Sequence, residues 1–415
     1  MKPLGPIPPG YEADPRGRLL IGGQDVTALI ETAGDTPLFV YDLGMIARRV
    51  ERLRAAMPPG LEIHYAIKAN PHPPLMAAMA GMVDGFDVAS EGELARSIEA
   101  GMAAKHISFA GPGKRARELE AAIRAGAAIN LESEHEADRA LSIAEALGLT
   151  PRLAVRINPE FELRGSGMRM GGGAKPFGID QERVAPLVKR LVKAGADYRG
   201  LHIFAGSQSL DRDAIMETQA NSVALARRID EETGARAPLV NLGGGFGVAY
   251  FAGDVALDVE AIGAALIEQI GDEASRYAIE LGRWLVAEAG VYLTRVVDRK
   301  ESHRKTFLVT DGGLHHQLAA SGNFGTVVRR NYPVAVATRF GAEPEEEVSV
   351  VGCLCTPLDR LADDAMLPCA GPGDVIAVFL AGAYGATASP AAFLGHPAPL
   401  EIAISSESAV ILTQK

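Results

Sequence analysis

Short apolar runs alternate with amphipathic stretches through the middle of the chain, and this alternation predicts a repeated strand–helix unit. Eight of the runs have the length and residue types of buried parallel strands. In chain order they are LEIHYAIK (61–68), GFDVAS (85–90), HISFAG (106–111), AAINLES (127–133), RLAVRINP (152–159), YRGLHIFAG (198–206), LVNLGG (239–244) and RYAIEL (276–281). Between them lie alanine-rich segments in which apolar residues recur at helical spacing among charged ones, such as 91–101 and 115–126. Eight such units in succession predict an α/β fold, the (β/α)8 TIM barrel.

The pattern changes on either side of these units. Two further strand-like runs, GRLLIGG and PLFVYD, precede them, and mostly β-type segments follow them. We therefore predict a second, mostly-β domain built from residues 1–40 and 285–415, with the barrel, residues 41–284, inserted between. The glycine-rich stretch 164–178 lengthens the connection after the fifth strand, and a loop of that length is typical of a lid or a binding loop.

Composition and charge then narrow the class of protein. At 415 residues the chain exceeds what one core supports, and its net charge of −11 argues against non-specific binding to nucleic acid or to an anionic membrane. No apolar run reaches membrane-spanning length, and the N-terminus lacks the apolar stretch of a secretory signal. We therefore expect a cytoplasmic protein.

A metal site is not expected from the cysteines and histidines. Cys353, Cys355 and Cys369 are too few for a disulfide framework, and the Cys-Leu-Cys pair fits neither a redox motif nor a two-part zinc site. His315 and His316 are adjacent, and adjacent side chains on a strand face opposite ways, which argues against a paired metal site there.

Chemically capable side chains follow the predicted strands, at the end of a barrel where active sites form. They are Lys68, Asp87, Ser90, Glu93, Arg156, Asn158, His202, Phe204, Ser207, the glycine-rich loop Gly243, Gly244, Gly245, Phe246 and Gly247, and the turn Glu280, Gly282 and Arg283. Each has a simpler interpretation when taken singly. Lys68 can reach for solvent, Asp87 can cap a helix, and His202 can be a core residue. A glycine-rich loop alone is a weak signal.

Together these residues meet the needs of one ligand. A phosphate needs N–H donors, which the GGGFG loop and Ser207 can supply. A protonated pyridine nitrogen needs a carboxylate, Glu280, and a flat ring needs a flat neighbour, Phe204. An aldehyde needs an amine, Lys68. Those are the requirements of pyridoxal 5′-phosphate, which acts as an electron sink in amino-acid chemistry.

From about residue 37 to about residue 405 the chain resembles the fold-type III pyridoxal-phosphate decarboxylases, the group of diaminopimelate, ornithine and arginine decarboxylases, and more distantly alanine racemase. The matching motifs are YAIKAN, FDVAS-GEL, GLHIFAGSQ, GGGFG, ELGR, CTPLD and GAYG. The resemblance implies that Lys68 bonds to the cofactor aldehyde and that Glu280 contacts the pyridine nitrogen. It implies phosphate contacts from Ser207, Gly245 and Tyr384.

The resemblance also implies a homodimer with shared active sites. Cys355 and Asp359 would enter the partner's site, and Cys355 would be the proton donor after loss of CO₂. Asp87 and Arg156 are further expected cofactor contacts, and Asp359, Thr356, His316 and Arg283 are expected at the substrate.

Four departures from the family pattern bear on the substrate. Phe204 replaces the family's ring-stacking histidine, and Pro176 is inserted in KPFG. Thr356 and Pro357 stand where diaminopimelate decarboxylases have the glutamate and serine of Cys-Glu-Ser, and LAASGNFG (318–325) replaces a segment with a substrate-binding arginine. A zwitterionic distal group buried without these partners would cost several kcal/mol.

We therefore predict α-decarboxylation of an amino acid with a neutral, large or carrier-tethered distal end, in a subgroup that resembles enzymes of exopolysaccharide, exosortase-linked and secondary-metabolite gene clusters. One relative in that neighbourhood acts on a glutamyl group carried by an acyl-carrier protein. The alternatives are diaminopimelate decarboxylase, an amino-acid racemase and a non-catalytic carrier of the cofactor. Glu280 argues against the racemase, because racemases of this fold usually place an arginine at the pyridine nitrogen.

Overall fold

The chain folds into two compact units, seen in a computed structural model that describes residues 1–271, 275–322, 329–405 and 408–410. The barrel unit comprises Val50–Val248 and Ala256–Trp284. The β unit comprises Met1–Arg49, Ala249–Val255 and Leu285–Lys415. Part of the predicted segment 318–325 lies outside the described residues.

The barrel unit contains a closed ring of eight parallel strands. They are β1 (Glu62–Ala66), β2 (Gly85–Val88), β3 (Ile107–Phe109), β4 (Ala128–Leu131), β5 (Arg152–Asn158), β6 (Asp197–Ile203), β7 (Leu239–Asn241) and β8 (Arg276–Leu281). Each strand pairs with the next, and β8 pairs with β1 to close the ring. This confirms the predicted TIM barrel. The strands are almost wholly buried, which explains why they appear in the sequence as continuous apolar runs.

Helices follow the strands and cover the barrel. They span Pro73–Ala80, Glu91–Glu99, Ala116–Ala125, Glu134–Leu147, Gln181–Lys193, Arg212–Thr233 and Val259–Ile270, and the helix Leu43–Ala56 precedes β1. Two of them begin with the same serine cap, because the Ser90 and Ser133 hydroxyls accept hydrogen bonds from the amides three residues later. The alternative in which Asp87 caps a helix is therefore wrong: Asp87 lies within β2, and Ser90 is the cap.

Two local predictions in the barrel unit need correction. Strand β1 ends at Ala66, and Lys68 lies in a 3-10 turn, Ile67–Ala69, which follows it. The glycine-rich stretch 164–178 is not without structure, because Met168–Arg169 pairs antiparallel with Gly206–Ser207. That pairing places the stretch beside Ser207.

The β unit is built on a nine-stranded sheet. Its strands are Leu38–Asp42, Gly290–Ser302, Lys305–Thr310, Val334–Val336, Glu346–Val351, Arg360–Leu367, Val375–Val378, Leu400–Ser405 and Ser408–Val410. A small sheet of Glu12–Ala13, Leu19–Ile21 and Gln24–Asp25 and a helix, Val26–Ala33, complete the N-terminal part. The mostly-β second unit is thus confirmed.

Strand predictions in the β unit extend too far in two places. One of the β-type segments predicted after the barrel, EVSVVGCLCT (347–356), is strand only to Val351, so its cysteines lie in a loop. His315 and His316 lie in a turn beyond Thr310, not on a strand. Among the described residues, no helix is long and apolar enough to cross a membrane.

Candidate active site

Lys68 is presented by the turn after β1 at the C-terminal end of the barrel. Its ammonium nitrogen lies 5.5 Å from the centroid of the Phe204 ring, which follows β6. Gly282, just after β8, fits tightly against this turn, since a Cβ there would lie 2.8 Å from the Ala69 Cβ. The side chain of Lys68 is exposed within this chain.

Glu93 provides a negative charge near this amine. Its Oε2 accepts a hydrogen bond from the Ala89 amide at 2.6 Å. Burial raises the pKa of Glu93, while the backbone hydrogen bond and the charge of Lys68 oppose the rise. The carboxylate therefore lies close enough to Lys68 for the lysine charge to oppose the effect of burial on Glu93.

Glu280 on β8 is a buried carboxylate of the barrel. Its Oε2 lies 2.9 Å from His202 Nε2 and accepts a hydrogen bond from the Asn241 side-chain amide at 3.1 Å. Burial alone would raise the pKa of Glu280, but His202 and, more weakly, Lys68 and Arg156 lower it to about 2. Glu280 is therefore ionised at every physiological pH.

His202 is buried on β6, as the core interpretation predicts, and its Nε2 also lies within hydrogen-bond reach of Glu280. Asn241 was not singled out from the sequence, although it lies two residues before the glycine-rich loop. Asn241 joins the two features, because its side-chain oxygen accepts the Gly243 amide at 2.9 Å while its nitrogen donates to Glu280.

The glycine-rich loop after β7 presents free backbone amides. The amides of Gly244, Gly245 and Phe246 donate to no acceptor among the described residues. Gly244 has no room for a side chain, because a Cβ would lie 2.1 Å from the Glu280 carbonyl oxygen. Gln208 secures the far end of the loop, since its side chain makes two hydrogen bonds to the Val248 backbone, at 2.7 and 3.1 Å.

These barrel residues fit pyridoxal phosphate. Unpaired amides in a loop after a barrel strand form a cradle for an anion. Ser207, half-buried, lies in the short strand next to this loop, while Gly243 and Gly247 bound its ends. The ionised Glu280 suits a protonated ring nitrogen, and Phe204 supplies a flat apolar face. Arg283 begins the short helix Arg283–Val286 directly after Gly282 and is half-buried.

Arg156 forms a buried ion pair in the barrel unit. Arg156 Nη1 contacts Glu132 Oε1 at 2.6 Å, and Glu132 also accepts the Gly111 and Gly178 amides. Although burial opposes it, the charge of Arg156 lowers the pKa of Glu132. Glu132 was missed from the sequence, yet it too directly follows a barrel strand, β4.

Asp87 is paired with a histidine that the sequence did not single out. Its Oδ2 lies 3.6 Å from His64 Nδ1, while His64 Nε2 lies 3.1 Å from Glu62 Oε2. Burial alone would lower the pKa of His64, but the two carboxylates raise it to about 10. Asp87 thus lies in a charge-compensated group in which His64 is protonated at neutral pH.

The remaining predicted site residues belong to the β unit. Cys355 is exposed and Thr356 is half-buried, both in the loop after the strand Glu346–Val351. Tyr384 is half-buried and has a φ of 55°, a left-handed conformation that is rare for a residue with a side chain. Such backbone strain is concentrated at functional sites.

Asp359 and His316 are engaged within the β unit. Both carboxylate oxygens of Asp359 accept backbone hydrogen bonds, from the Leu314 amide at 2.6 Å and the Leu354 amide at 2.9 Å. His316 contacts the Tyr292 hydroxyl at 3.1 Å and the Pro397 carbonyl at 3.0 Å. These contacts give both residues a structural role here, and their predicted contact with the substrate stays a prediction.

The cysteine loop does have histidine neighbours. Ligand atoms of His315, Cys353 and His396 all lie within 4.8 Å of one another. The expectation that no metal site forms here stays a prediction, although Cys353 has histidine neighbours that are remote in sequence. His315 and His316 do not face apart either, since their ring centroids are 3.7 Å apart.

Comparison with known proteins shows the family to which the chain belongs. Residues 43–294 match the sequence model of the family described as pyridoxal-dependent decarboxylase, pyridoxal binding domain. The chain is 36% identical to the L-glutamyl-(BtrI acyl-carrier protein) decarboxylase of Niallia circulans, covering 94% of each chain. It is 32% identical to the diaminopimelate decarboxylase of Methanothermobacter thermautotrophicus, covering 95% of this chain and 92% of that one.

A solved structure agrees with these matches. The diaminopimelate decarboxylase of M. jannaschii in complex with L-lysine superimposes with a TM-score of 0.87 and 26% identity, covering 97% of this chain and 94% of that one.

Proposed function

Since the chain belongs to the pyridoxal-dependent decarboxylase family, we propose that it removes the α-carboxyl group of an amino acid whose distal end is neutral, large or tethered to a carrier protein. The enzyme is a pyridoxal-phosphate-dependent amino-acid decarboxylase. The observation that carries this assignment is the ionised, buried Glu280 opposite Lys68 and Phe204 at one end of the barrel.

Each barrel residue has a definable task. When bound, pyridoxal phosphate supplies an electron-accepting ring. Lys68 would supply the amine for its aldehyde, and the amides of Gly244, Gly245 and Phe246 would hold its phosphate. Glu280, whose pKa is lowered by its neighbours, would favour a protonated ring nitrogen through its negative charge. Phe204 offers a face for stacking but no hydrogen bond, so it orients the ring without changing its charge.

The substrate class is inferred from uncharged segments. The loop 352–358 contains no Asp, Glu, Lys or Arg, and neither does the described segment 314–322. These are the segments in which diaminopimelate decarboxylases have charged partners for the far end of their substrate. A neutral or tethered distal group avoids the cost of burying an unpaired charge. The 36% identity to a decarboxylase that acts on a carrier-bound glutamyl group supports the same inference.

A panel of substrates tests this proposal. We expect CO₂ release from glutamyl groups capped as an amide or thioester, with kcat/KM at least about 100-fold above that for free meso-diaminopimelate. Faster turnover of meso-diaminopimelate would instead assign the enzyme to lysine biosynthesis. Exchange of α-deuterium without CO₂ would indicate a racemase, and no reaction at all would indicate a carrier of the cofactor.

We further propose that the enzyme is a homodimer whose sites combine Lys68 of one protomer with Cys355 of the other. Cys355 is exposed, and a thiol can act as a general acid, so Cys355 is the candidate proton donor. Mixing inactive Lys68→Ala and Cys355→Ala protomers should restore about a quarter of wild-type activity, because half of the dimers then contain one intact site. No recovery on mixing, with dimers re-formed, would contradict a shared site.

A further inference from the structure

We propose that His315, Cys353 and His396 form a binding site for a soft divalent metal ion, with Zn²⁺ as the occupant. The site lies wholly in the β unit and does not depend on the proposed substrate. Strands Lys305–Thr310 and Glu346–Val351 are parallel neighbours, paired through Val309 and Val351, so they end at the same edge of the sheet. The loops that follow them carry His315 and Cys353 to one place.

The distances between the three side chains suit a shared ligand. Cys353 Sγ lies 3.9 Å from each ring nitrogen of His396, which follows the 3-10 turn Phe393–Gly395. The rings of His315 and His396 have centroids 5.1 Å apart. Tetrahedral zinc with Zn–S of about 2.3 Å and Zn–N of about 2.0 Å holds its ligand atoms roughly 3.5 Å apart. The observed spread of up to 4.8 Å needs only a small closure of side chains.

His315 supplies an independent observation. It is 0% exposed, and neither ring nitrogen has a hydrogen-bond partner among the described residues. Its neighbour His316, equally buried, uses both of its nitrogens. A buried polar group without a partner costs about 1–3 kcal/mol, so native proteins seldom leave one without a reason. A metal ion bound to one ring nitrogen of His315 supplies that reason.

The loops that carry the ligands are held in place by Asp359. Its carboxylate accepts the amides of Leu314 and Leu354, the residues next to His315 and Cys353. Gly313 and Gly352 allow this, because a Cβ at either would lie within about 2.2 Å of the Asp359 carboxylate. Such supporting hydrogen bonds orient metal ligands before the ion binds. The chain therefore supplies both ligands and scaffold.

The donor set determines the ion. One thiolate and two imidazoles select Zn²⁺ or a similar soft ion over Mg²⁺ and Ca²⁺, which prefer oxygen. On binding, the Cys353 thiol loses its proton to solvent and its sulfur bonds to the metal. Three protein ligands leave the fourth position to water. Because Cys355 is two residues from Cys353, the ion would fix the loop that presents the candidate proton donor.

Metal analysis of the holoenzyme tests the site. The protein is first dialysed against a chelator, then given Zn²⁺ and separated from unbound Zn²⁺. It should then retain about one zinc per chain. Cys353→Ser and His396→Gln should each reduce retention at least about tenfold. The controls Cys369→Ser and His135→Gln, at exposed positions, should retain the wild-type amount. Less than a tenth of an equivalent on the wild type, or full retention by Cys353→Ser, would overturn the proposal.

Cobalt substitution provides a second readout that is independent of activity. Co²⁺ in a tetrahedral thiolate site gives intense visible absorption bands, and these should disappear in Cys353→Ser but persist in Cys369→Ser. Circular dichroism and cofactor content establish that each variant is folded. If His396→Gln does not fold, Cys353→Ser decides alone, because serine conserves the size of this half-buried side chain.

Discussion

Several buried polar groups of the barrel unit are compensated differently from those in the loops of the β unit. In the barrel unit, these buried groups lie against opposite charges: Arg156 with Glu132, Lys114 with Glu136, and His64 with Glu62. In the loops of the β unit, the buried imidazoles have lowered pKa values: burial lowers that of His316 to about 4 and also lowers that of His315. The barrel unit thus holds these buried charges in pairs, whereas these loops of the β unit hold neutral imidazoles.

The difference follows from what each region can reach. Barrel strands converge, so side chains from several strands meet and compensate one another over short distances. The loops of the β unit meet at one sheet edge, where two backbone amides donate to the carboxylate oxygens of the buried Asp359. Removing one partner of a buried polar contact should therefore change the free energy of unfolding by different amounts in the two units.

The largest effect is expected at Lys68. Lys68→Ala removes the amine that the cofactor aldehyde needs, so kcat/KM should fall by about 10³-fold or more. Lys105→Ala, also an exposed lysine of the barrel unit, should leave activity within about twofold, since it lies at the start of β3 and away from the strand ends that form the site. Steady-state CO₂ release measures both. Borohydride reduction of wild-type holoenzyme should add cofactor mass to the peptide containing Lys68, and labelling elsewhere would contradict the assignment.

Breaking a buried pair in the barrel should give the largest loss of stability. Arg156→Met leaves Glu132 buried without its cation and should lower the free energy of unfolding by about 3–5 kcal/mol. Arg52→Met, in an exposed pair with Glu260, should cost no more than about 1 kcal/mol. Urea denaturation compares the two.

The double variant Arg156→Met/Glu132→Leu sharpens this test. Since it removes both charges, it should recover at least about half of the loss. Equal stability of the single and double variants would show that the pair is not the cause.

The charge on His64 predicts a pH dependence of stability. The pKa of His64 is raised from 6.5 to about 10 in the folded protein, so its contribution is complete below pH 6.5 and is lost as pH rises through about 10. That contribution should be about 2–4 kcal/mol. His64→Gln should remove it, and the difference in unfolding free energy between wild type and variant should shrink from pH 6 to pH 10. A difference that stays constant would mean that His64 is not charged.

The outline of the barrel could be predicted from the sequence, because each parallel strand is a continuous apolar run. The contact of His202 with Glu280 could not, since β6 and β8 are remote in sequence and only their register brings the two side chains together. The membership of Ala249–Val255 in the β unit could not be predicted from the sequence either. In that segment the centroid of the Tyr250 ring lies 4.8 Å from that of Tyr332. Nothing in the local pattern of that segment indicates its distant partner.

Errors at strand ends have a similar origin. The run through Lys68 is apolar enough to continue β1, but Asn70 donates its amide to the Ile67 carbonyl and closes a turn instead. The pair His315 and His316 follows a strand in sequence, yet the amides of His316 and Gln317 both bond to the Gly313 carbonyl and form a turn. A period-two pattern cannot predict such turns, because they depend on hydrogen bonds and packing that form only in the folded chain.

The smallest effect is expected where the β unit satisfies a carboxylate with amides. Asp359→Asn keeps one acceptor oxygen but turns an NH₂ group toward the other amide, which should cost about 1–3 kcal/mol in unfolding free energy. Asp364→Asn, which loses only an exposed pair with Lys305, should cost less than about 1 kcal/mol. The same variants separate two roles for Asp359. A scaffold residue lowers stability with KM nearly unchanged, whereas a residue that contacts the substrate, as the family resemblance implies, raises KM while unfolding is unaffected.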